Sequence, residues 1–200
     1  MDRIRTREKI VAKATGEILH QGYSRTTMDA IATGLGMSKK TIYQLYPSKK
    51  DLLRAVLSTL QSEIEQGLEE VVFRPDLAFR EKWLAVVEYT AHQYGRLGPG
   101  FVDDLRTADP EIFQILDKFR GDLVRRCFSS LAEEGIRVGA FRSDIDPRFL
   151  SAVYLAIVQA ILNPVAVQHL GLAPDQAYRE VVKLILDGIT RDPGQSPTNL

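Results

Sequence analysis

The sequence predicts an all-α protein of about nine helices, divided between a small N-terminal domain and a larger C-terminal one. Two observations lead to this prediction. Apolar residues recur at spacings of three and four along the chain, whereas the strict alternation typical of strands is absent. Glycine, proline and capping residues interrupt this pattern at intervals that suit helices of ordinary length. A chain of 200 residues is long enough for one domain or two small ones.

The N-terminal domain, residues 1–50, is predicted to contain three helices. Their predicted bounds are 5–21, 28–35 and 39–45. Gly22 ends the first helix, because glycine readily adopts the conformation that terminates one. Thr27 and Ser38 each precede a helix and can cap it with a side-chain oxygen.

A bridging helix, about residues 49–72, is predicted to connect this domain to a second one, residues 51–191. Ser48, three residues before Asp51, resembles the start of a capping box. The further helices of the second domain are predicted at about 76–94, 101–107, 110–134, 147 onwards and 174–189. Residues 192–200 are small, polar and proline-rich, which predicts a flexible tail.

Two residues of the second domain are predicted to interrupt helices. Gly135 is expected to end the helix that begins at Pro110. Pro164 is expected to kink or break the helix that begins at Pro147, because proline lacks an amide hydrogen.

Charge is distributed unevenly along the chain. The net charge is zero, but residues 1–60 contain eleven Lys and Arg against five Asp and Glu, and residues 61–200 contain fifteen against twenty-one. A basic head on an acidic body is expected of a nucleic-acid-binding module joined to a different module. Chance clustering on a solvated surface would produce the same imbalance.

Several function classes are disfavoured by the sequence. No apolar run is long enough to predict a membrane-spanning helix, and the N-terminus does not resemble a secretory signal. The single cysteine, Cys127, cannot form an internal disulfide, which suits a reducing cytoplasm. Isolated histidines and the lack of nucleotide-binding or nucleophile motifs predict no metal, no cofactor and no enzymatic activity.

Residues 26–50 have the pattern of a helix-turn-helix. Two helices that cross steeply need a small residue where they touch, and Ala32 is suitably placed. The turn between them needs a residue that tolerates positive φ, which Gly36 provides. Apolar residues follow at the spacing expected for one shared interior, namely Ile31, Leu35, Met37, Ile42 and Leu45. The segment is therefore predicted to bind DNA.

Residues 5–57 also resemble the DNA-binding domain of TetR-family transcriptional regulators. The residues that carry the resemblance are Thr26-Thr27, Ile31-Ala32, Gly36-Met37-Ser38-Lys39-Lys40-Thr41-Ile42-Tyr43, Tyr46-Pro47-Ser48-Lys49 and Leu52-Leu53. The chain departs from the usual pattern at Gly34 and Lys40. The resemblance implies phosphate contacts by Thr27, Tyr43 and Lys49, and a C-terminal domain for ligand binding and dimerisation.

The predicted DNA contacts lie on the third helix and beside it. Lys39 and Lys40 can donate to guanine, and Gln44 can pair with adenine. The methyl group of Thr41 can meet a thymine methyl. The full predicted set is Thr26, Thr27, Ser38, Lys39, Lys40, Thr41, Tyr43, Gln44 and Lys49.

Other polar and aromatic residues of this domain have less specific predictions. The basic N-terminal arm, Arg3, Arg5 and Arg7, is a candidate for phosphate or minor-groove contacts. Tyr46 is predicted to belong to the core, because it lies one helical turn beyond Ile42.

The last two helices are apolar on more than one side, which predicts burial on more than one side. Two such helices would suit a four-helix interface with a twofold-related copy. The residues predicted at this interface are Ala152, Ala156, Gln159, Asn163, Val182 and Leu186. Complete burial within one subunit is the alternative.

A pocket for a small organic molecule is predicted around the helix at 76–94. Aromatic walls with a few polar groups are typical of such sites. The residues predicted to line it are Trp83, Thr90, Tyr94, Phe101, Arg106 and Phe113. An ordinary core with some exposed polar groups is the alternative reading of the same residues.

Together these features predict a cytoplasmic, ligand-responsive DNA-binding regulator. The predicted partners are double-stranded DNA, a small organic effector and a second copy of the chain. The favoured interpretation is a repressor that binds a palindromic operator and dissociates from it when the effector binds. Two alternatives are left open, namely an activator of the same fold and a helical protein-interaction module whose basic head binds an acidic partner.

Overall fold

The structure, a computed structural model, describes residues 2–98, 100–161 and 171–190, and nine helices lie in these ranges. The helices are α1 (Asp2–Gln21), α2 (Met28–Gly34), α3 (Lys39–Leu45), α4 (Lys49–Val72), α5 (Phe79–Gly95), α6 (Phe101–Ala108), α7 (Pro110–Arg137), α8 (Pro147–Ile161) and α9 (Pro174–Ile189). In the described ranges, extended residues pair only in an isolated bridge between Phe141 and Thr190. The predicted all-α fold is confirmed.

Side-chain caps begin several of these helices where the sequence predicts them. Thr27, Ser38 and Ser48 each accept a hydrogen bond from the amide three residues further on. Asp109 caps α7 in the same way, and Pro110 occupies its first position, where the missing amide hydrogen costs nothing. These caps supply acceptors for amides that have no partner within the helix.

Some predicted boundaries are wrong. The first helix begins at Asp2, and α5 begins at Phe79 rather than near residue 76. Gly135 does not end α7, which continues to Arg137. A Cβ atom at residue 135 would lie 2.5 Å from the ring of Phe141, so the glycine permits close packing instead of terminating the helix. Pro164 and residues 192–200 lie outside the described residues.

The N-terminal domain has α1, α2, α3 and the first half of α4 around one core. Ala32 is buried where α2 meets its neighbours, and Gly36 makes the following turn with φ of +62°. Leu52 and Leu53 of α4 pack into this core. The core continues into α6 and α7 through Leu105, Ile112 and other residues, so the two domains share buried apolar contacts.

The C-terminal domain packs α5, α7, α8 and α9 around an aromatic cluster. Phe128 of α7 stacks on Tyr154 of α8 with ring centroids 4.3 Å apart, and Trp83 meets Phe141 edge-on at 5.3 Å. Such pairs add to the stability gained from burial alone. No helix in the described residues is long and apolar enough to span a membrane.

Polar contacts join the two domains beside the shared core, and we call this region the domain seam. The amide of Gly98 donates to the carbonyl of Leu19 at 2.7 Å. The amide of Ser24 donates to a carboxylate oxygen of Asp104 at 2.9 Å. The seam thus ties the end of α1 to the turn before α6 and to α6 itself. It is completed by ion pairs from Lys50, at the start of α4, to Asp109 and Glu111.

Candidate nucleic-acid interface and ligand cavity

The third helix presents a polar face outward because its apolar face is anchored in the core. Ile42 is fully buried, whereas Lys40, Tyr43 and Gln44 are exposed. Tyr43 is 46% exposed, which is high for a tyrosine. The short length of α3, seven residues, leaves these side chains close together on one surface. That surface has the size and polarity expected of a helix that enters a DNA groove.

Lys39 is exposed but is not a free cation. Its ammonium group forms an ion pair with the carboxylate of Asp29 on α2. Among the ion pairs of the described residues none involves Lys40, so the two neighbouring lysines have different electrostatic surroundings. Ser38 and Thr41 exchange a hydroxyl hydrogen bond of 2.8 Å at the start of the same helix, which fixes the Thr41 side chain.

Lys49 is the first residue of α4, and groups of the turn between α1 and α2 hold it in place. Its ammonium lies over the ring of Tyr23, 4.2 Å from the centroid, and donates to the carbonyl of Ser24 at 3.3 Å. Partial burial lowers the pKa of Lys49, and the nearby carboxylate of Asp104 acts in the opposite direction. Ordering a cation in this way reduces the entropy cost of a later phosphate contact.

The structure corrects the prediction for Thr26. Its side chain is only 1% exposed, and its hydroxyl donates to the carbonyl of Gly22 at 2.8 Å. Thr26 therefore holds the turn between α1 and α2 and is not available to a DNA phosphate. The neighbouring Thr27 is exposed, and its hydroxyl oxygen caps α2.

The N-terminal arginines are part of α1 rather than an extended arm. Arg3 and Arg5 are exposed along this helix. Arg7 donates to the carbonyl of Leu45 at 3.0 Å, and its guanidinium lies over the ring of Tyr46, 4.6 Å from the centroid. Tyr46 is buried, as the sequence predicts. Arg7 thus contributes to the packing of the domain.

A cavity of about 180 Å³ lies between α4, α5, α6 and α7, with Tyr154 of α8 contributing to one wall. Most of its walls are apolar. The polar or titratable side chains that line it are Gln61, Tyr89, Thr90, Gln93, Tyr94, Arg96, Arg120, Cys127 and Tyr154. An apolar space with a few polar groups is the usual character of a site for a small organic molecule.

Three of the six residues predicted to line the pocket do so, namely Thr90, Tyr94 and Phe101. Trp83 instead lines a smaller neighbouring cavity of about 20 Å³. Arg106 is exposed on α6 and forms an ion pair with Asp103. Phe113 packs beside the N-terminal core.

Arg120, for which the sequence predicts no role in the pocket, lines the cavity from α7. One of its terminal nitrogens donates to Asp117, one turn earlier in the helix. Its Nε is buried and has no hydrogen-bond partner within the described structure. The i, i+3 spacing of Asp117 and Arg120 was visible in the sequence, but it is equally typical of an exposed ion pair.

Two tyrosines that line the cavity, Tyr94 and Tyr154, contact a third, Tyr178 of α9. The hydroxyl of Tyr154 donates to that of Tyr178 at 3.2 Å, and the rings of Tyr94 and Tyr178 are 5.1 Å apart. Burial raises the pKa of each of these phenols, so all three remain protonated at neutral pH. They can therefore serve as neutral donors and acceptors.

The residues predicted at a dimer interface differ in exposure, and not all of them are available to a second subunit. Ala152, Ala156 and Gln159 are exposed along one side of α8. Val182 is only 5% exposed and packs inside the subunit against the aromatic cluster, so its prediction is corrected. Leu186 is partly buried against the same cluster. Asn163 lies outside the described residues.

Two large apolar side chains of α8 and α9 are exposed. Phe149, near the start of α8, is 68% exposed, and Leu184 of α9 is 72% exposed. Apolar groups of this size are more often covered when they belong to a contiguous patch.

In the described residues, no group of His, Cys, Asp and Glu side chains is placed to hold a metal ion.

Comparison with known proteins supports the fold and the class of function. Residues 10–56 match the family described as "Bacterial regulatory proteins, tetR family". An uncharacterized HTH-type transcriptional regulator of Bacillus subtilis, YhgD, is 27% identical over 82% of this chain and 86% of its own length. The HTH-type transcriptional repressor DhaR of a Mycobacterium species is 24% identical over 93% of this chain and 95% of its own. Both relatives are described as HTH-type transcriptional regulators or repressors.

A solved structure shares the fold over nearly the whole chain. It is a putative transcriptional regulator from Saccharomonospora viridis in complex with choline, with a TM-score of 0.72 and 22% identity. The alignment covers 94% of this chain and 99% of the other. The arrangement of an N-terminal helix-turn-helix and a C-terminal helical domain is therefore shared with a ligand-binding protein.

Proposed function

We propose that this chain, whose residues 10–56 match the tetR family of bacterial regulatory proteins, is a homodimeric repressor that leaves a palindromic operator when a small organic molecule binds. The observation that carries this proposal is the course of α4. This helix begins shortly after α3 ends, and it lines the cavity further along. We place the activity in the cytoplasm, where a bacterial repressor meets its DNA.

The DNA-binding part of the proposal rests on the exposed face of α3. Lys40 and Gln44 are exposed and can reach base edges in the major groove, with Lys39 beside them. Tyr43 and Lys49 are the proposed phosphate contacts, which would fix the helix in the groove. The buried Ile42 keeps this orientation, because rotating the helix would expose it to water.

The dimeric part rests on the exposed stripe of α8 and its apolar neighbour. Ala152 and Ala156 are small, so a second helix could approach closely at this face. Phe149, three residues before Ala152 on the same helix, would be covered in the same contact. A twofold axis through such an interface pairs identical surfaces and would place two α3 helices on a palindromic site, about 34–36 Å or a multiple apart.

Release of DNA on ligand binding would follow if the ligand had different affinities for two forms of the protein. Leu52 and Leu53 of α4 pack in the DNA-binding domain, whereas Ile64 and Leu68 of the same helix line the cavity. A ligand that favours one placement of α4 would shift the population of the DNA-binding form. Repression, rather than activation, is favoured by the relative DhaR, a repressor that is similar over nearly its whole length.

Selection of bound duplexes from a random DNA pool tests the proposal directly. We expect recovery of two inverted half-sites whose spacing reflects the distance between the α3 helices. A reporter placed behind the recovered site should be repressed when the protein is present. Recovery of unrelated sequences, or a reporter that requires the protein for expression, would overturn the repressor assignment.

Lys49→Ala is expected to weaken binding to operator and random DNA by a similar factor, because Lys49 is positioned for a phosphate. The slope of log affinity against log salt should become shallower by about one. Lys40→Ala should instead reduce the preference for the operator, by about 1–3 kcal/mol if it contacts a guanine. Lys39→Ala is expected to act similarly. Titration of fluorescent duplexes at several salt concentrations measures both effects.

Two outcomes would contradict this division of roles. One is an equal loss on operator and random DNA for all three lysine variants. The other is a loss of operator preference in Lys49→Ala alone. Because removal of Lys39 also leaves Asp29 unpaired near the DNA, Lys40→Ala is the cleaner test of base recognition.

Ala156→Arg is expected to convert the protein to a monomer and to lower operator affinity at least tenfold. A long cation on the exposed stripe would be forced into the proposed contact between two α8 helices without a partner. Ala108→Arg is the matched control, because Ala108 is also exposed but ends α6, on another element. Sedimentation analysis should show a monomer for the first variant only, and a dimeric Ala156→Arg protein would exclude this interface.

A further inference from the structure

The cavity has an uneven distribution of charge. Two of the residues that line it, Arg96 and Arg120, have guanidinium groups, and the lining within the described part of the chain contains no Asp or Glu. Each guanidinium pairs with a carboxylate that does not line the cavity, Glu63 for Arg96 and Asp117 for Arg120. The lining therefore includes two arginines, whereas the carboxylates paired with them are not part of it.

The buried polar groups that lack partners are hydrogen-bond donors. In the described residues, the buried side-chain nitrogen and oxygen atoms without a hydrogen bond are Nε1 of Trp83 and Nε of Arg120. Arg120 lines the main cavity, and Trp83 lines the small neighbouring one, which shares Val86, Phe128 and Tyr154 with it. Leaving such donors unpaired is unfavourable. A molecule that supplies oxygen acceptors would satisfy them.

The surroundings of Arg120 leave room for an additional acceptor. Oδ1 of Asp117 accepts from one terminal nitrogen of Arg120 and also from the side-chain amide of Gln159, at 3.3 Å, so this oxygen is shared between two donors. A guanidinium has five N–H donors in a planar fork that suits a carboxylate. The apolar walls of the cavity strengthen such a contact, because they exclude water from it.

We propose that the ligand of this cavity is a small organic acid, whose carboxylate accepts hydrogen bonds from Arg120 and whose apolar part fills the space between α4, α5 and α7. The inference rests on the proposed function, which makes this cavity the effector site. It specifies the charge and the size of the effector. A cavity of about 150 Å³ is known to hold benzene, which has six carbon atoms, so about 180 Å³ suits an acid whose apolar part has about seven carbon atoms.

Cations and fully apolar molecules fit the same cavity less well. A cationic ligand would lie near two guanidinium groups with no carboxylate in the lining to compensate for the repulsion. A hydrocarbon would leave the buried Nε of Arg120 without a partner. This chain is therefore expected to differ in ligand charge from the S. viridis regulator, whose ligand is choline.

Calorimetric titration of the full chain at neutral pH, with two matched series of probes, tests the inference. One series is octanoate, octan-1-ol and octylamine, and the other is cinnamate, cinnamyl alcohol and cinnamylamine. We expect at least one of the two acids to bind, and to bind at least tenfold more tightly than the alcohol and the amine of its series. Failure of both acids to bind, or equal binding by an alcohol or amine, would overturn the inference.

Arg120→Gln identifies the group that recognises the acid. This variant should bind the preferred acid at least tenfold more weakly and the corresponding alcohol about equally. Arg106→Gln is the matched control, because Arg106 is an exposed arginine that does not line the cavity. An unchanged acid preference in a folded Arg120→Gln protein would exclude Arg120 as the anchor. If that variant does not fold, Arg120→Lys, which keeps the charge but not the planar fork, should still weaken acid binding.

The same samples separate this inference from the proposed function. Acid binding that depends on Arg120 but does not release operator DNA would support the ligand class and contradict the proposed release mechanism. Operator release by octylamine or cinnamylamine, but not by either acid, would support the proposed release mechanism and contradict the ligand class.

Discussion

Gly98→Ala is expected to destabilise the protein by about 3 kcal/mol, one of the two largest effects that we predict. A Cβ atom at residue 98 would lie 2.1 Å from the carbonyl oxygen of His20 and 2.9 Å from that of Leu19. Both are backbone atoms, which cannot move aside as a side chain could. The domain seam would have to open to admit the methyl group, with loss of the hydrogen bond from Gly98 to Leu19.

Thermal unfolding followed by circular dichroism measures this effect, and a decrease in Tm of about 6–12 °C is expected for a chain of this length. Gly16→Ala is the matched control, because a Cβ atom there would meet nothing within 4 Å. Gly16 lies in the interior of α1, so alanine should stabilise the helix by about 0.5–1 kcal/mol. Similar Tm values for both variants would show that the seam is not packed as described.

Ile42→Ala is expected to reduce the free energy of unfolding by about 2–5 kcal/mol and to abolish detectable operator binding. Ile42 is fully buried under α3, so the shorter side chain leaves a void that the neighbouring helices can fill only partly. Loss of this anchor removes the reason for α3 to keep its polar face outward. The effect on DNA affinity should therefore exceed that of any single change on the exposed face.

Gln44→Ala provides the comparison on the same helix. Gln44 is exposed, so its removal should change the Tm little while lowering selectivity for the operator. Denaturant unfolding and DNA titration of both variants separate the structural role of Ile42 from the recognition role of Gln44. Full operator affinity in Ile42→Ala would mean that α3 is held by other contacts.

Local signals account for the helix boundaries that the sequence predicts well. The bounds of α3, α4 and α9 agree with prediction because a capping residue or a proline marks their first turn. The predicted end of α7 is wrong because Gly135 does not terminate the helix. Its lack of a side chain makes room for the ring of Phe141, which lies beyond the end of α7. Sequence reasoning treats a glycine in a helix as a stop signal unless the packing is known.

The exposed face of α3, like the caps, depends on local sequence alone. The seven consecutive residues of this helix determine which of its sides is apolar. The cavity lining depends on contacts between helices that are distant in sequence. The sequence predicts a pocket role for Arg106, which is exposed, and none for Arg120, which lines the cavity. The rotation of α7 against α4 and α5 brings Arg120 inward, and no local pattern reveals that rotation. Val182 was misplaced for a similar reason, as α9 is apolar on both its buried and exposed sides.

The unbroken course of α4 makes it a lever. A helix of 24 residues is about 36 Å long, and the distance along its axis from Leu68 to Lys49 is about 28 Å. Over that length, a tilt of about 5° at one end of the rod displaces the other end by about 2.5 Å, close to the full length of a hydrogen bond. In a twofold assembly the two displacements would add. An angular change too small to disturb the packing could therefore change the separation of the two α3 helices, so that they no longer match the spacing of the major grooves.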